Sequence, residues 1–263
     1  MTVTLLPGST AAQDEQSVRS LYEDLTVAET YIHQRFGHAW GRVLHQKQAA
    51  EINNVIEEAK PETILEIAPG PARLATELKG VRRGLMIDNS APMLALAKRR
   101  LQESGLAHLW EVEQGNAFEL EKLRQGFNFV FTFRFIRHFR LVDRERLYSA
   151  IGACLEPGGL LMFDVVNKSM RDKLDARQLH KDPTQLDVYD ITYSTDSFHR
   201  EMEANGFKII RLTPVINHFF TQSWISHRLG QRLTKPSSAL VRLLELIPSQ
   251  EPLEWIALCQ KSS

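Results

Sequence analysis

Between Thr63 and Val165 the chain alternates short apolar and β-branched runs with helical patterns, and no other feature restricts the fold as much. Strand-like runs read at TILEI (63–67), RGLMI (83–87), LWEVEQ (109–114), FNFVFT (127–132) and GLLMFDV (159–165). Helical patterns separate them near 72–79, 92–103 and 143–155, the last ended by Pro157, Gly158 and Gly159. Strands joined through helices pair in parallel and are covered on both faces, so the class is α/β. A helix over 196–205 closed by Gly206, then FKIIRL and LEWIALC, supply two more strands and complete a seven-stranded, mostly parallel sheet.

Two segments lie outside this frame. Residues 1–50 read as a helical N-terminal arm and 214–252 as a helical insertion before the last strand (253–263), leaving 51–213 as the core. The 263 residues with 43% hydrophobic content are enough for one sizeable core. Lys+Arg and Asp+Glu are both 32, so there is no net field to hold nucleic acid, and none is expected as a partner. The start MTVTLLPGST lacks a basic, apolar leader and no stretch reaches a membrane span of about 18 apolar residues, which points to the cytoplasm. Cys154 and Cys259 sit in apolar runs and read as buried, reduced thiols.

The chemistry-bearing signal is ILEIAPGPARL. Glu66 ends a strand, and the turn that follows leads into a helical pattern at the sheet edge where such folds bind nucleotides. A dinucleotide fingerprint asks for glycine at 68, 70 and 73, but Arg73 stands at the third place. Ala68, Gly70 and Ala72 instead give a small-x-small-x-small turn that lets the backbone approach a bulky ligand without a pyrophosphate. Asp88 lies 22 residues after Glu66, close to the spacing of about 20 at which an acid takes ribose hydroxyls. Asn116, in the loop QGNAF, is placed to read an adenine edge.

On these residues the chain resembles the class I S-adenosylmethionine-dependent methyltransferases, in the methyltransferase type 11 group that contains the ubiquinone-biosynthesis enzymes. The resemblance is strong over 50–166 and loose elsewhere. It implies a Rossmann-like sheet, S-adenosylmethionine as cofactor and S-adenosylhomocysteine as product. It implies cofactor contacts at Glu66, Ala68, Pro69, Gly70 and Ala72, at Asp88, Asn89 and Met93, and at Asn116, Ala117 and Phe133. Arg35, in a folded-over arm, would meet the cofactor carboxylate. The chain departs from the family in two loop glycines, which are Ala68 and Ala72, and in Asn116, where an aspartate is common.

The acceptor would face FRFIRHFR (133–140), after the fourth strand. His138 is a candidate general base, with Arg134 and Asp164 as further catalytic candidates. Related metal-dependent enzymes place acids after strands four and five, and Arg134 would repel a divalent ion there, so no metal is expected. The insertion carries His218, His227, Arg228, Arg232, Lys235 and Arg242, suited to an anionic acceptor or, less so, a membrane surface, with Phe219, Phe220 and Trp224 read as core-facing. The expected function is methyl transfer to a small molecule, a saccharide, lipid or secondary metabolite, by O-methylation. A non-catalytic S-adenosylmethionine-binding protein acting as a partner subunit is the alternative. The sequence does not give an oligomeric state.

Overall fold

The computed structural model describes residues 36–123, 126–177, 190–229 and 234–262. Seven main strands form the sheet: β1 (Ile64–Ile67), β2 (Gly84–Asp88), β3 (Trp110–Gln114), β4 (Phe127–Thr132), β5 (Leu155–Asn167), β7 (Phe207–Val215) and β8 (Glu254–Lys261). An eighth, β6 (Thr192–Tyr193), adds two residues beside the end of β5, a strand the sequence did not suggest. The order is β3-β2-β1-β4-β5-β8-β7, parallel throughout except for β8, which runs antiparallel to both neighbours. This is the Rossmann-like, mostly parallel sheet expected.

Alternation along the strands divides the core in two, because successive side chains point to opposite faces. Ile64, Met86, Phe129 and Met162 face one cluster, shared with α1 (Ala39–Ala59) and α2 (Ala91–Glu103). Leu65, Ile87, Val130 and Phe163 face the other, closed by α3 (Leu141–Cys154) and α5 (Thr195–Ala204). Helix α1 runs unbroken through residue 50, where the sequence reading ended the arm, and buries Val43, Leu44, Ile52 and Val55 against the sheet. The helical stretch is therefore part of the core there. Cys154 and Cys259 are buried free thiols, and burial pushes both up to about 12.

Two local expectations fail. The 72–79 helix is absent: Ala72 takes a left-handed φ of 52°, and only a single 3-10 turn forms at Ala75–Glu77. Helix α3 ends at Cys154 and β5 begins at Leu155, so Pro157 and its glycines lie inside the strand. They form an irregularity there, since Phe127 pairs with Leu155 but Phe129 with Leu160.

The parallel strands set which edge carries function. Helix α4 (Lys168–Ala176) leaves the end of β5, and the insertion, with α6 (Phe219–Leu229) and α7 (Thr234–Glu245), leaves the end of β7. Both therefore sit at the carboxyl edge, with the loops after β1, β2, β3 and β4. Phe219 packs against the core, but Trp224 is 59% exposed, contrary to its expected inward position, as are Leu240, Leu243 and Ile247. Trp224 belongs to the outer face of α6 and Leu240 and Leu243 to that of α7, with Ile247 just beyond it, while the inner faces carry Gln222, Ile225 and Val241. Among the described residues no helix is long and apolar enough to cross a membrane.

One buried carboxylate fastens the insertion to the sheet. Glu245 at the end of α7 accepts from the backbone N–H of Ile216 at 2.9 Å and of Asn217 at 3.0 Å, and from Gln222 Nε2 at 2.9 Å. Ile216 follows β7 with a left-handed φ of 57°, so the carboxylate holds a strained turn as well as two helices. Removing it leaves buried donors unsatisfied. Glu245→Ala should lower stability by roughly 3 kcal/mol, read by urea unfolding, since bonds to a charged group contribute about 1.5–3 kcal/mol and orphaned donors add to the loss.

Candidate functional site

A cleft with about 830 Å³ of empty space, counted out to open solvent, opens at the carboxyl edge over β1, β2 and β4. Its near wall is the turn after β1. Ala68, Gly70 and Ala72 have φ values of 53°, 54° and 52°, all left-handed. The small-x-small-x-small pattern is thus a backbone requirement: this conformation costs an L-residue with a Cβ about 1–2 kcal/mol and a glycine almost nothing. At Gly70 an added Cβ would come 3.9 Å from Met93 Sδ, so strain rather than local crowding excludes side chains there.

Asp88 fixes this turn from the neighbouring strand. Its carboxylate accepts from Gly70 N at 3.0 Å and Ser90 N at 2.9 Å, and Ala68 N donates to Ile87 O at 2.8 Å. Burial raises the Asp88 carboxyl, and these backbone donors pull it back. Serine 90 then caps α2 through Met93 N at 3.3 Å, which brings Asn89 and Met93 to the cleft. Asn116 lines the cleft too, with its side-chain oxygen accepting from Phe118 N at 3.0 Å.

Of the cofactor candidates, the structure gathers Ala68, Gly70, Asp88, Asn89, Met93, Asn116, Ala117 and Phe133 around this space. Pro69 and Ala72 do not line it, Ala72 being fully buried behind the turn. Glu66 is also off the lining, buried in β1, and its Oε2 has no hydrogen-bond partner. Arg35 lies outside the described residues. Phe135, within the loop expected to face the acceptor, lines the cleft together with Phe118 and Phe139, which were not singled out from the sequence, and the three complete an aromatic wall around the loop after β4. Phe139 meets both other rings edge-on, at centroid distances of 5.2 and 5.0 Å. Their only signal was aromatic residues beside motif positions.

The far wall rests on a buried charge cluster. Arg134 and His138 line the cleft, and Asp164 does not. Asp164 accepts from the Arg134 backbone N–H and from Arg137 Nη1, both at 2.6 Å, so it braces the loop instead of facing an acceptor. Arg137 also donates to Asp190 through Nε and Nη2, both at 2.8 Å, and to Glu254 at 2.9 Å. Asp190 Oδ1 lies 3.0 Å from His138 Nδ1. Burial opposes the Asp190 charge, yet Arg137 and His138 outweigh it and hold the carboxyl well below its ordinary range. Burial pushes Glu254 upward, with Arg137 resisting. Arg134 itself has φ 58°, strained like the turn opposite. Among the described residues no group of three or more His, Cys, Asp or Glu is arranged to hold a metal ion.

Glu66 gives the site a measurable pH signature. Burial, offset in part by Arg73, raises its carboxyl to about 8 from an ordinary 4.5. The folded protein therefore holds a proton that the unfolded chain releases between these values, and stability falls as pH rises through that window. A single such group contributes a slope of up to about 1.4 kcal/mol per pH unit. Between pH 5.5 and 7.5 the wild type should lose roughly 2 kcal/mol more than Glu66→Gln, measured by denaturant unfolding of both.

Comparison with known proteins agrees with this geometry. Residues 64–159 match the family model of a methyltransferase domain. Among solved structures, magnesium protoporphyrin IX methyltransferase from Synechocystis, crystallised with S-adenosylhomocysteine, superposes with TM-score 0.64 at 12% identity over 95% of this chain and 100% of its own. The [4+2]-cyclase SpnF gives 0.62 at 16% identity over 95% and 98%. An O-methyltransferase family protein from Burkholderia thailandensis gives 0.61 at 12% identity over 96% of this chain, which spans 64% of that protein's length. A search of curated proteins finds no match. Residues 64–159 thus match a methyltransferase domain, and the sheet around them shares the fold of these solved structures.

Proposed function

We propose that the chain transfers a methyl group from S-adenosylmethionine to an oxygen of a small molecule, and that the cleft over β1, β2 and β4 binds both reactants side by side. The observation that carries this reading is the pairing of two unlike walls across one space. One is a strained, small-residue turn held by Asp88, and the other is an imidazole held by Asp190. The near wall fits the cofactor, because the left-handed turn brings backbone rather than side chain to the ligand. Asp88 keeps lone pairs beyond its backbone bonds for the ribose hydroxyls, as the spacing in the sequence suggests. Asn116 and Ala117 line the same space and would take the adenine edge.

When bound, S-adenosylmethionine supplies a methyl group on a sulfonium, and its transfer forms an oxygen–carbon bond as the sulfur–carbon bond breaks and the hydroxyl proton leaves. The chain's part is to hold the partners in line and to take that proton. Asp190 opposite Nδ1 fixes the imidazole so that Nδ1 carries hydrogen and Nε2 offers the basic lone pair. Bidentate bonding to Arg137 keeps Asp190 ionised and oriented. Phe133, Phe135 and Phe139 exclude water around the reacting atoms and present flat apolar surface to the acceptor.

Two measurements test the two walls separately. Calorimetric titration of Asp88→Ala with S-adenosylhomocysteine should show binding weaker by about 1.5–3 kcal/mol, the range for hydrogen bonds to a charged group. Unchanged affinity in a folded protein would remove the ribose assignment. His138→Gln keeps hydrogen bonding but accepts no proton near neutrality. It should lower methyl transfer from labelled donor by about 100-fold, within the usual range of general-base catalysis, at constant cofactor affinity. Full turnover in this variant would leave positioning alone as the source of catalysis.

A further inference from the structure

A second cleft, with about 750 Å³ of empty space out to solvent, lies at the same edge between α4 and the first turns of the insertion. Its lining combines three features that no residue of the first cleft explains. Arg177, at the C-terminal end of α4, lays its guanidinium over the Phe220 ring at 4.0 Å from the centroid. Among the described residues it has no ion-pair partner. Lys173, on the same wall, is paired with Glu251, whose other oxygen accepts from Ser169 Oγ at 2.7 Å, so those charges cancel and Arg177 leaves the cleft one positive charge in excess. Asn217, buried at the cleft wall, spends its backbone N–H and Nδ2 on Glu245 and leaves Oδ1 without a hydrogen-bond partner.

These features specify a ligand. A guanidinium stacked on a ring keeps its planar fork of N–H donors for a carboxylate, which it binds in two-pronged fashion, while the ring offers a flat apolar surface. A buried acceptor oxygen calls for a hydroxyl or N–H on the same molecule. The cleft also adjoins the proposed reaction site. Strands lie roughly 4.8 Å apart, so α4, leaving β5, is one strand away from the His138 loop that leaves β4. Arg171 of α4 reaches to 3.8 Å from Asp190, the residue that holds His138.

We infer that this second cleft anchors the methyl acceptor by its acidic end, and that the acceptor is a flat, apolar carboxylic acid that also carries a hydroxyl or N–H donor. The inference rests on the methyl-transfer reading for the word acceptor, but the anion site stands on its own residues. Arg177 fixes one end of the molecule, and the end to be methylated extends along the edge toward His138.

The test uses the full chain, saturated with S-adenosylhomocysteine, and the fluorescence of 6-hydroxy-2-naphthoate, with neutral 2-naphthol as the matched compound lacking the carboxylate. The wild type should bind the acid about 10-fold or more tightly than the naphthol, Arg177→Ala should lose that preference, and Arg177→Lys should keep only part of it, as expected for a charge-assisted, planar contact. No binding of the acid to the wild type, or equal binding to wild type and Arg177→Ala, overturns the site. Affinity for S-adenosylhomocysteine is measured alone in each protein and should stay within about 2-fold, since Arg177 is remote from the cofactor wall. Its absence in the wild type would count against the methyl-transfer reading and leave the anion result decisive for the cleft. For the acceptor role, labelled donor is incubated with a small-molecule extract and the products are separated by anion exchange. Label should appear in the retained, acidic fraction and fall about 10-fold in Arg177→Ala. Label only in the unretained fraction, or undiminished in the variant, refutes the anchoring of the acceptor.

Discussion

The guanidinium of Arg137 is the contact on which the far half of the site depends. It is almost completely buried and touches carboxylates from three separate places: Asp164 on β5, Asp190 before β6 and Glu254 at the start of β8. Each of those acids then holds something else. Asp164 grips the strained backbone of Arg134, and Asp190 orients His138. Glu254 is where the insertion returns to the sheet. Such a buried ionic group is a poor source of net stability, because desolvation offsets most of the attraction. What it does supply is a single arrangement, since removing any one member leaves an uncompensated charge in the interior.

The near half follows a different rule. No side-chain cation is needed there, because the turn after β1 is held by backbone bonds to the neighbouring strand and to the Asp88 carboxylate. Three left-handed residues within five positions put the peptide groups of the turn at the mouth of the cleft. Two of the three are alanines, and each carries a strain of about 1–2 kcal/mol that glycine would not. The bonds from Ala68 and Gly70 to the second strand are what make that strain tolerable.

The insertion joins these halves to the outside. Its inner face is tied down by Glu245 and by apolar contacts to α1, while its outer face keeps Trp224, Leu240 and Leu243 exposed. Of the residues lining the second cleft, Asn217 belongs to the turn between β7 and α6 and Phe220 to the first turn of α6. Arg177 reaches them from a different element, and only the packing of α4 against the insertion brings the two together.

The local chain determined much of this protein before any folding contact was known. Strand identity followed from apolar runs about as long as a buried strand, and sheet parallelism from the helices between them. The turn at Ala68–Ala72 was legible because small residues at alternate positions have few other uses, and Asp88 because the crossover to the next parallel strand sets its distance from that turn. The same local logic misjudged the 72–79 stretch, whose helical composition yields to the left-handed Ala72 that the turn requires. It misplaced Asp164 and Glu66 as well, since a residue at a strand's end can face the cleft or lie behind it, and only the neighbouring strands decide which. Asp190, Arg137 and Glu254 are separated by as many as 117 positions, and no periodicity links them. Their meeting was decided by the tertiary structure alone, because a buried charge is stable only where partners from distant segments converge on it.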